Sequence, residues 1–267
     1  MSDDLVLLRL EARPEGVIAH VTLNRTGKLN AMNSPLIARF LEVFESLAGD
    51  DQLRAVVLTG AGGRSFVGGA DIGEMGIIDS PGAARAFITS VHQCCAAVRM
   101  CAVPVIARIQ GFCFGAGLEL AAACDLRVAS ESSSFGMQEV KLGIPSVIEA
   151  ALLPTLVGWG RTREMLLLGE TFSAAEAREY HLIEKLVPDA NLDAAVQDWL
   201  AKLLTSAPQA VRLQKALMRR WEKLPLAEAV TAGIDCFASA FETDEPQQAL
   251  GHFLSAAAAR RAKKHGV

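Results

Sequence analysis

Apolar positions along this chain switch between a two-residue and a helical period, and glycine clusters mark the switches. Residues 5–10 and 17–23 are apolar, β-prone runs separated by Arg-Pro-Glu-Gly, which predicts a hairpin. Ser34 is placed to cap an amphipathic helix. Pro35 sits in its first turn, and Leu36, Ile37, Phe40, Leu41, Phe44 and Leu47 recur at helical spacing. A short buried strand at 55–59 runs into a glycine-rich stretch, 60–73. A helix over 82–100 and a strand over 103–109 follow. Gln110-Gly111 breaks that strand, the next helix begins near 114–116, and a further strand covers 126–129. Repeated strand–loop–helix units of this kind indicate an α/β core. From residue 146 onward the pattern is helical, apart from a short run at 186–187. It covers 148–156, 161–168, 174–180 and 192–204, then 210–222, 226–240 and 245–263. Ser206-Ala-Pro208 is the natural break. The expected organisation is a core over 1–205 and a helical region over 206–267.

Composition narrows the function classes. The chain has 267 residues, with 51% hydrophobic and 21% charged, enough to bury a sizeable core. Lys and Arg number 26 against 30 Asp and Glu, so the basic excess of a nucleic-acid binder is missing. No apolar run approaches the roughly 18 residues of a membrane span. The first residues, Met-Ser-Asp-Asp, are acidic where a targeting peptide needs positive charge. A cytoplasmic protein is expected, with no nucleic-acid or membrane partner. Of the six cysteines, all but Cys236 crowd into apolar stretches, with no C-x-x-C pair, so free buried thiols are expected rather than disulfides or a zinc site.

Two glycine-rich loops follow buried strands: Thr59 to Ile72, and Gln110 to Glu119. A dinucleotide fingerprint needs a third glycine to pack helix on strand, and Ser65 and Leu120 occupy those positions. A phosphate loop needs Gly-Lys-Ser/Thr, and a Ser hydrolase needs Gly-x-Ser-x-Gly; neither occurs. No His-x-x-x-His or acidic cluster marks a metal site. What such loops offer is close approach of backbone N–H groups to a ligand, and the second loop adds the positive end of a helix. Glu119, one turn into that helix among Leu and Ala, is either buried beside a pocket or a first-turn Glu favoured by the helix dipole. Glu139, after Ser132-Ser-Ser-Phe-Gly, reads on its own as a solvated loop residue.

Four segments resemble the crotonase superfamily, the enoyl-CoA hydratase/isomerase group. Leu23-Asn-Arg-Thr-Gly-Lys-Leu-Asn-Ala-Met32 is similar to the family's first coenzyme-A-contacting turn. Ser65-Phe-Val-Gly-Gly-Ala-Asp-Ile72 is similar to the loop that holds the thioester and adenine. Gln110 to Asp125 resembles the second oxyanion loop and its helix. Phe241-Glu-Thr-Asp with Phe253 resembles the C-terminal helix. The resemblance implies an α/β spiral of ββα units with a C-terminal helical region that builds trimers or dimers of trimers. It implies an oxyanion hole from the backbone N–H groups of Ala70 and Ala116. It assigns CoA and substrate contacts to Arg25, Lys28, Leu29, Ala31, Gly69, Ala70, Asp71, Ile72 and Phe253. It matches Glu119 and Glu139 to the two catalytic acids of hydratases. No cofactor is implied, because coenzyme A is part of the acyl-CoA substrate, and no metal.

The implied reaction is addition of water across the 2,3 double bond of an enoyl-CoA. An enoyl-CoA isomerase or other enolate-forming enzyme is the alternative within the superfamily, and a non-catalytic CoA-binding subunit is the alternative outside catalysis. The chain departs from the family after Glu139. The usual Pro-Gly-Ala-Gly-Gly turn is replaced, in Lys141-Leu-Gly-Ile-Pro-Ser-Val-Ile-Glu-Ala150, by Ser146, Val147, Ile148 and Glu149. Ser146 and Glu149 are therefore expected in the acyl pocket, although Glu149 also reads as an ordinary first-turn Glu. Ala256 stands where relatives often carry a Lys toward the nucleotide phosphates. Arg260, Arg261, Lys263 and Lys264 either substitute for it or form a solvated helix end.

Overall fold

A computed structural model describes residues 4–264, with side chains over 4–255. The chain divides into two compact units, Met1–Leu203 and Leu204–Val267. The first unit starts with β1 (Val6–Arg13) and β2 (Gly16–Leu23), an antiparallel hairpin, followed by α1 (Ser34–Ser46). Then come β3 (Leu53–Gly60), β4 (Ser65–Val67), α2 (Ile72–Met75), α3 (Pro81–Met100), β5 (Val105–Ile109), β6 (Phe112–Phe114) and α4 (Ala116–Ala123). β7 (Leu126–Ser130), β8 (Ser134–Gly136), α5 (Leu153–Leu168), β9 (Thr171–Ser173), α6 (Ala174–Glu179), β10 (Lys185–Val187) and α7 (Leu192–Leu204) follow, the last reaching the division between the units.

Two sheets share these strands. One runs β1-β2-β3-β5-β7-β10, parallel from β2 onward, and the other runs β4-β6-β8-β9. Successive strands β3 to β8 alternate between the sheets, so each turn of chain deposits one strand in each. After the first two turns comes a helix that closes the core, α3 and then α4. This is the physical content of a ββα spiral. The short strands β4, β6, β8 and β9 lie where the sequence pattern reads as loop or helix. Three residues are too few to display a period, and their pairing comes from neighbours far along the chain.

The helices follow the sequence pattern closely, with three local corrections. α1 is capped by Asn33, whose side chain accepts the Leu36 N–H at 3.2 Å, rather than by Ser34. Ser34 is already helical, and its N–H and hydroxyl bind Glu74 instead. The expected helix over 148–156 is a 3-10 turn, Ile148–Leu152, followed by α5, because Pro154 lacks the N–H that a continuous α-helix needs there. The third correction joins the patterns at 148–156 and 161–168, which α5 spans with non-helical backbone at Gly158.

α4 is the structural centre of the first unit. All eight of its residues are buried. Small side chains permit this: a Cβ at Gly117 would lie 2.3 Å from the Val67 carbonyl oxygen. Its C-terminal carbonyls are capped by the buried Arg127, which donates to Cys124 O at 2.7 Å and Ala121 O at 3.3 Å and pairs with Glu184. The six cysteines are free. Among the described residues no helix is long and apolar enough to cross a membrane.

The second unit holds α8 (Pro208–Trp221), α9 (Leu226–Ala240) and α10 (Glu245–Lys264). Glu245 accepts the free N–H groups of Gln209 and Ala210 at 2.9 and 2.8 Å, tying α10 to the start of α8. The side chains of Ala256, Arg260, Arg261, Lys263 and Lys264 lie outside the described residues.

Candidate active site

Glu119 is the one charged side chain in the fully buried α4. An isolated carboxylate there would be costly, so it must find donors or keep its proton. Both occur. Oε1 accepts the Ala150 N–H at 3.1 Å. Burial, reinforced by the negative charges of Glu139 and Glu149, pushes its pKa up to about 8.

Glu139 opens a 3-10 turn, Glu139–Leu142, beyond β8. Half-buried, its carboxylate is held from two sides. Ser146 Oγ donates to Oε2 at 2.8 Å, and a Cβ added at Gly115 would lie 2.6 Å from Oε1. Gly115 has φ +50°, so a side chain is excluded by conformation as well as by space. That same Cβ would lie 3.9 Å from Gly69 Cα. The two glycine-rich loops therefore face each other beside Glu139.

Each loop presents a backbone N–H at this junction. Met32 donates to Gly69 O at 2.9 Å, and Asp71 donates to Met32 O at 2.9 Å. These bonds make a parallel bridge around Ala70, whose own N–H points the opposite way. Ala116 is the first residue of α4, where N–H groups are directed out of the helix at its positive end. Ala70, Ala116, Glu119 and Glu139 all line one cavity of about 710 Å³. The rest of its wall is largely apolar. Ile72, Met75 and Ile78 come from α2 and the turn after it, and Leu142, Ile144, Pro145 and Val147 from the segment after Glu139. Pro81, Ala84, Arg85 and Ile88 come from one face of α3, at spacing i, i+3, i+4, i+7. The sequence reading did not single out these residues, and their helical spacing is the signal that could have found them.

Ser146 and Glu149 are the two residues expected in the acyl pocket. Neither lines the cavity, whereas Pro145 and Val147 do. Ser146 Oγ instead donates to Glu139 Oε2 at 2.8 Å. Glu149 is 7% exposed and its Oε1 lies 2.9 Å from Nδ1 of His92 on α3, a partner that nothing in the sequence pattern marks.

Gly69, Ala70 and Ile72 line the cavity, but Arg25, Lys28, Leu29, Ala31 and Asp71 do not. Arg25 Nη1 lies 2.5 Å from Asp71 Oδ2 and 3.1 Å from Ala31 O. Asp71 caps α2 by accepting the Glu74 N–H at 2.9 Å. That bond and the Arg25 guanidinium hold its carboxyl below the usual range. Leu29 accepts the Gly68 N–H at 2.8 Å, and Asn30 donates to Ala61 O and Ser65 O. These residues lock the 25–32 turn onto the 65–72 loop. Lys28 is exposed, and Phe253 is exposed on α10 of the second unit.

The family model for enoyl-CoA hydratase/isomerase matches residues 13–260. The chain belongs to this family. It is 34% identical to the short-chain-enoyl-CoA hydratase of Clostridium acetobutylicum, over 90% of this chain and 92% of that protein. It is 31% identical to the crotonyl-CoA hydratase of Syntrophomonas wolfei over the same shares of each chain. The crystal structure of enoyl-CoA hydratase from Bacillus anthracis superposes with a TM-score of 0.88 at 29% identity, covering 94% of this chain and 96% of that one. As a member of the enoyl-CoA hydratase/isomerase family with hydratase relatives along almost its whole length, the chain is an enzyme of the hydratase type.

Proposed function

We propose that this protein adds water across the 2,3 double bond of an enoyl-CoA thioester, giving a 3-hydroxyacyl-CoA. The observation that carries this reading is the convergence of two carboxyl groups, Glu119 and Glu139, and two backbone donors, Ala70 and Ala116, on one largely apolar cavity. Water oxygen bonds to C3 and gives up a proton, the thioester becomes an enolate, and C2 takes a proton. The enolate oxygen is where charge develops, and the N–H groups of Ala70 and Ala116 are its assigned donors, each worth roughly 3–4 kcal/mol in comparable sites. Glu119, with its pKa pushed up to about 8, and the Glu139 carboxylate together offer one proton to give and one place to take a proton.

The coenzyme A part is assigned to the locked pair of segments, Arg25 to Ala31 and Gly69 to Ile72, since Met32 and Ala70 bridge the first segment directly to the cavity wall. Phe253 on α10 is proposed as a coenzyme A contact. No further cofactor enters the proposed reaction. Assembly as a trimer or dimer of trimers in the cytoplasm, with a role in fatty-acid metabolism, completes the proposal. The assembly is supported by the exposed apolar stripe of Leu226, Val230, Ile234 and Phe237 on α9.

Loss of the enoyl-thioester absorbance of crotonyl-CoA tests the reaction. Conversion to 3-hydroxybutyryl-CoA is expected. Migration of the double bond without water addition, or inert binding, overturns the reading.

A further inference from the structure

The segment from Pro145 to Ala150 touches both acids within six residues. Ser146 Oγ reaches Glu139 Oε2 at 2.8 Å, and the Ala150 N–H reaches Glu119 Oε1 at 3.1 Å. Between them Ile148 adopts φ +40°, a left-handed conformation that β-branched residues rarely take. Glu149 then binds His92 and fastens the segment to α3. Strain of this sort persists where contacts on both sides over-determine the backbone. Here those contacts are the two carboxyl groups and α3.

Glu139 is the acid with the most freedom to lose. A Glu side chain ends in a broad, soft torsion, so its carboxylate rotates readily unless held. One oxygen is pressed against Gly115, which supplies no side chain. The directional contact on the other oxygen comes from the Ser146 hydroxyl. Ser146 is half-buried, and its hydroxyl is directed to Glu139.

We infer that Ser146 is a positioning residue: its hydroxyl orients the Glu139 carboxylate and acts through it. This rests on Glu139 being one of the reacting acids. Ala at this position removes the donor, whereas Thr keeps it. A small misorientation of a reacting group lowers the rate of the chemical step without weakening the grip on the rest of the substrate.

The test compares Ser146→Ala, Ser146→Thr, Glu139→Ala and the double variant Glu139→Ala/Ser146→Ala. It uses crotonyl-CoA hydration, and exchange of the C2 protons of butyryl-CoA into D2O followed by NMR. Exchange needs an acid–base group and the enolate but no hydration, so it reads Ser146 independently of the proposed reaction. For Ser146→Ala, kcat and the exchange rate should fall about tenfold, the usual scale of a hydrogen bond to a charged group, with KM little changed. Ser146→Thr should recover most of the rate, and adding Ser146→Ala to Glu139→Ala should change nothing further. The inference is overturned by a wild-type rate in Ser146→Ala, by a raised KM at unchanged kcat, by equal impairment of Ala and Thr, or by an undiminished effect in the Glu139→Ala background. If the wild type exchanges C2 protons but does not hydrate crotonyl-CoA, the hydratase reading fails alone, and the exchange rates still decide the role of Ser146. Absence of both hydration and exchange in the wild type overturns both.

Discussion

The Glu119 carboxyl accepts the backbone N–H of Ala150 at 3.1 Å, so the helix that carries one acid is tied to the segment that follows the other. Thirty-one residues separate the two partners in sequence. This bond lies beside the strained Ile148 and close to the Ser146–Glu139 contact, and it makes the geometry of the two acids a shared property of one short stretch of chain.

Both acids are expected to be needed. Glu119→Gln and Glu139→Gln should each lower kcat for crotonyl-CoA hydration by at least ~10²-fold, the usual contribution of a general acid or base. Wild-type turnover in either variant would remove that residue from the reaction.

The raised pKa of Glu119 has a consequence for folding. The unfolded chain titrates this group near its ordinary value of 4.5, and the folded chain near 8. Between those values the folded state binds more protons, so Glu119 makes stability fall as pH rises through that window. Glu119→Gln, which cannot ionise, should flatten this slope, so its stability relative to wild type should rise from pH 5 to pH 8.5. Urea unfolding at the two pH values checks this, and parallel curves for the two proteins would refute it.

Gly115 is expected to tolerate no side chain. The φ of +50° and the 2.6 Å approach to Glu139 Oε1 mean that Gly115→Ala must move either the loop or the acid. A fall in kcat of about tenfold or more is expected, on the scale of displacing a reacting group. Activity at the wild-type level would show that the acid is not held against this glycine.

Acyl-chain selectivity should follow the cavity wall rather than Glu149. Leu142, Ile144, Pro145 and Val147 fill the wall after Glu139. Longer straight chains should therefore be disfavoured, by up to ~0.8 kcal/mol for each methylene that finds no space. Across C4, C8 and C12 enoyl-CoAs, kcat/KM should fall with length. Val147→Ala should soften the fall, and Glu149→Ala should not alter it. An altered chain-length profile in Glu149→Ala would place that carboxylate back in the pocket.

The second unit should hold the assembly together. Leu226, Val230, Ile234 and Phe237 are each more than half exposed on one face of α9. A double substitution, Ile234→Glu with Phe237→Glu, should convert an oligomer into a monomer in sedimentation experiments. A wild-type protein that sediments as a monomer at micromolar concentration would refute this.

The sequence by itself determined the parts whose signal is periodic or local. The helices over Leu192–Leu204 and Leu226–Ala240 are read from it to the residue, because a long apolar stripe at a period of 3.6 has few competing explanations. The two glycine-rich loops were legible as motifs, and the two glutamates only through the family resemblance. Tertiary structure decided what those motifs face. The four three-residue strands of the second sheet have too few positions to carry a pattern. They exist because residues such as Phe112 and Ser134, 22 apart, are brought side by side. The surroundings of the acids were equally hidden. Glu119 finds Ala150, and Glu149 finds His92, 57 residues away. Ser146 and Glu149, expected in the acyl pocket because their segment departs from the family pattern, face Glu139 and His92. A positive φ at Ile148 and an extended Val147 set their directions, and those angles are fixed by contacts that form only when α3, α4 and this segment pack together.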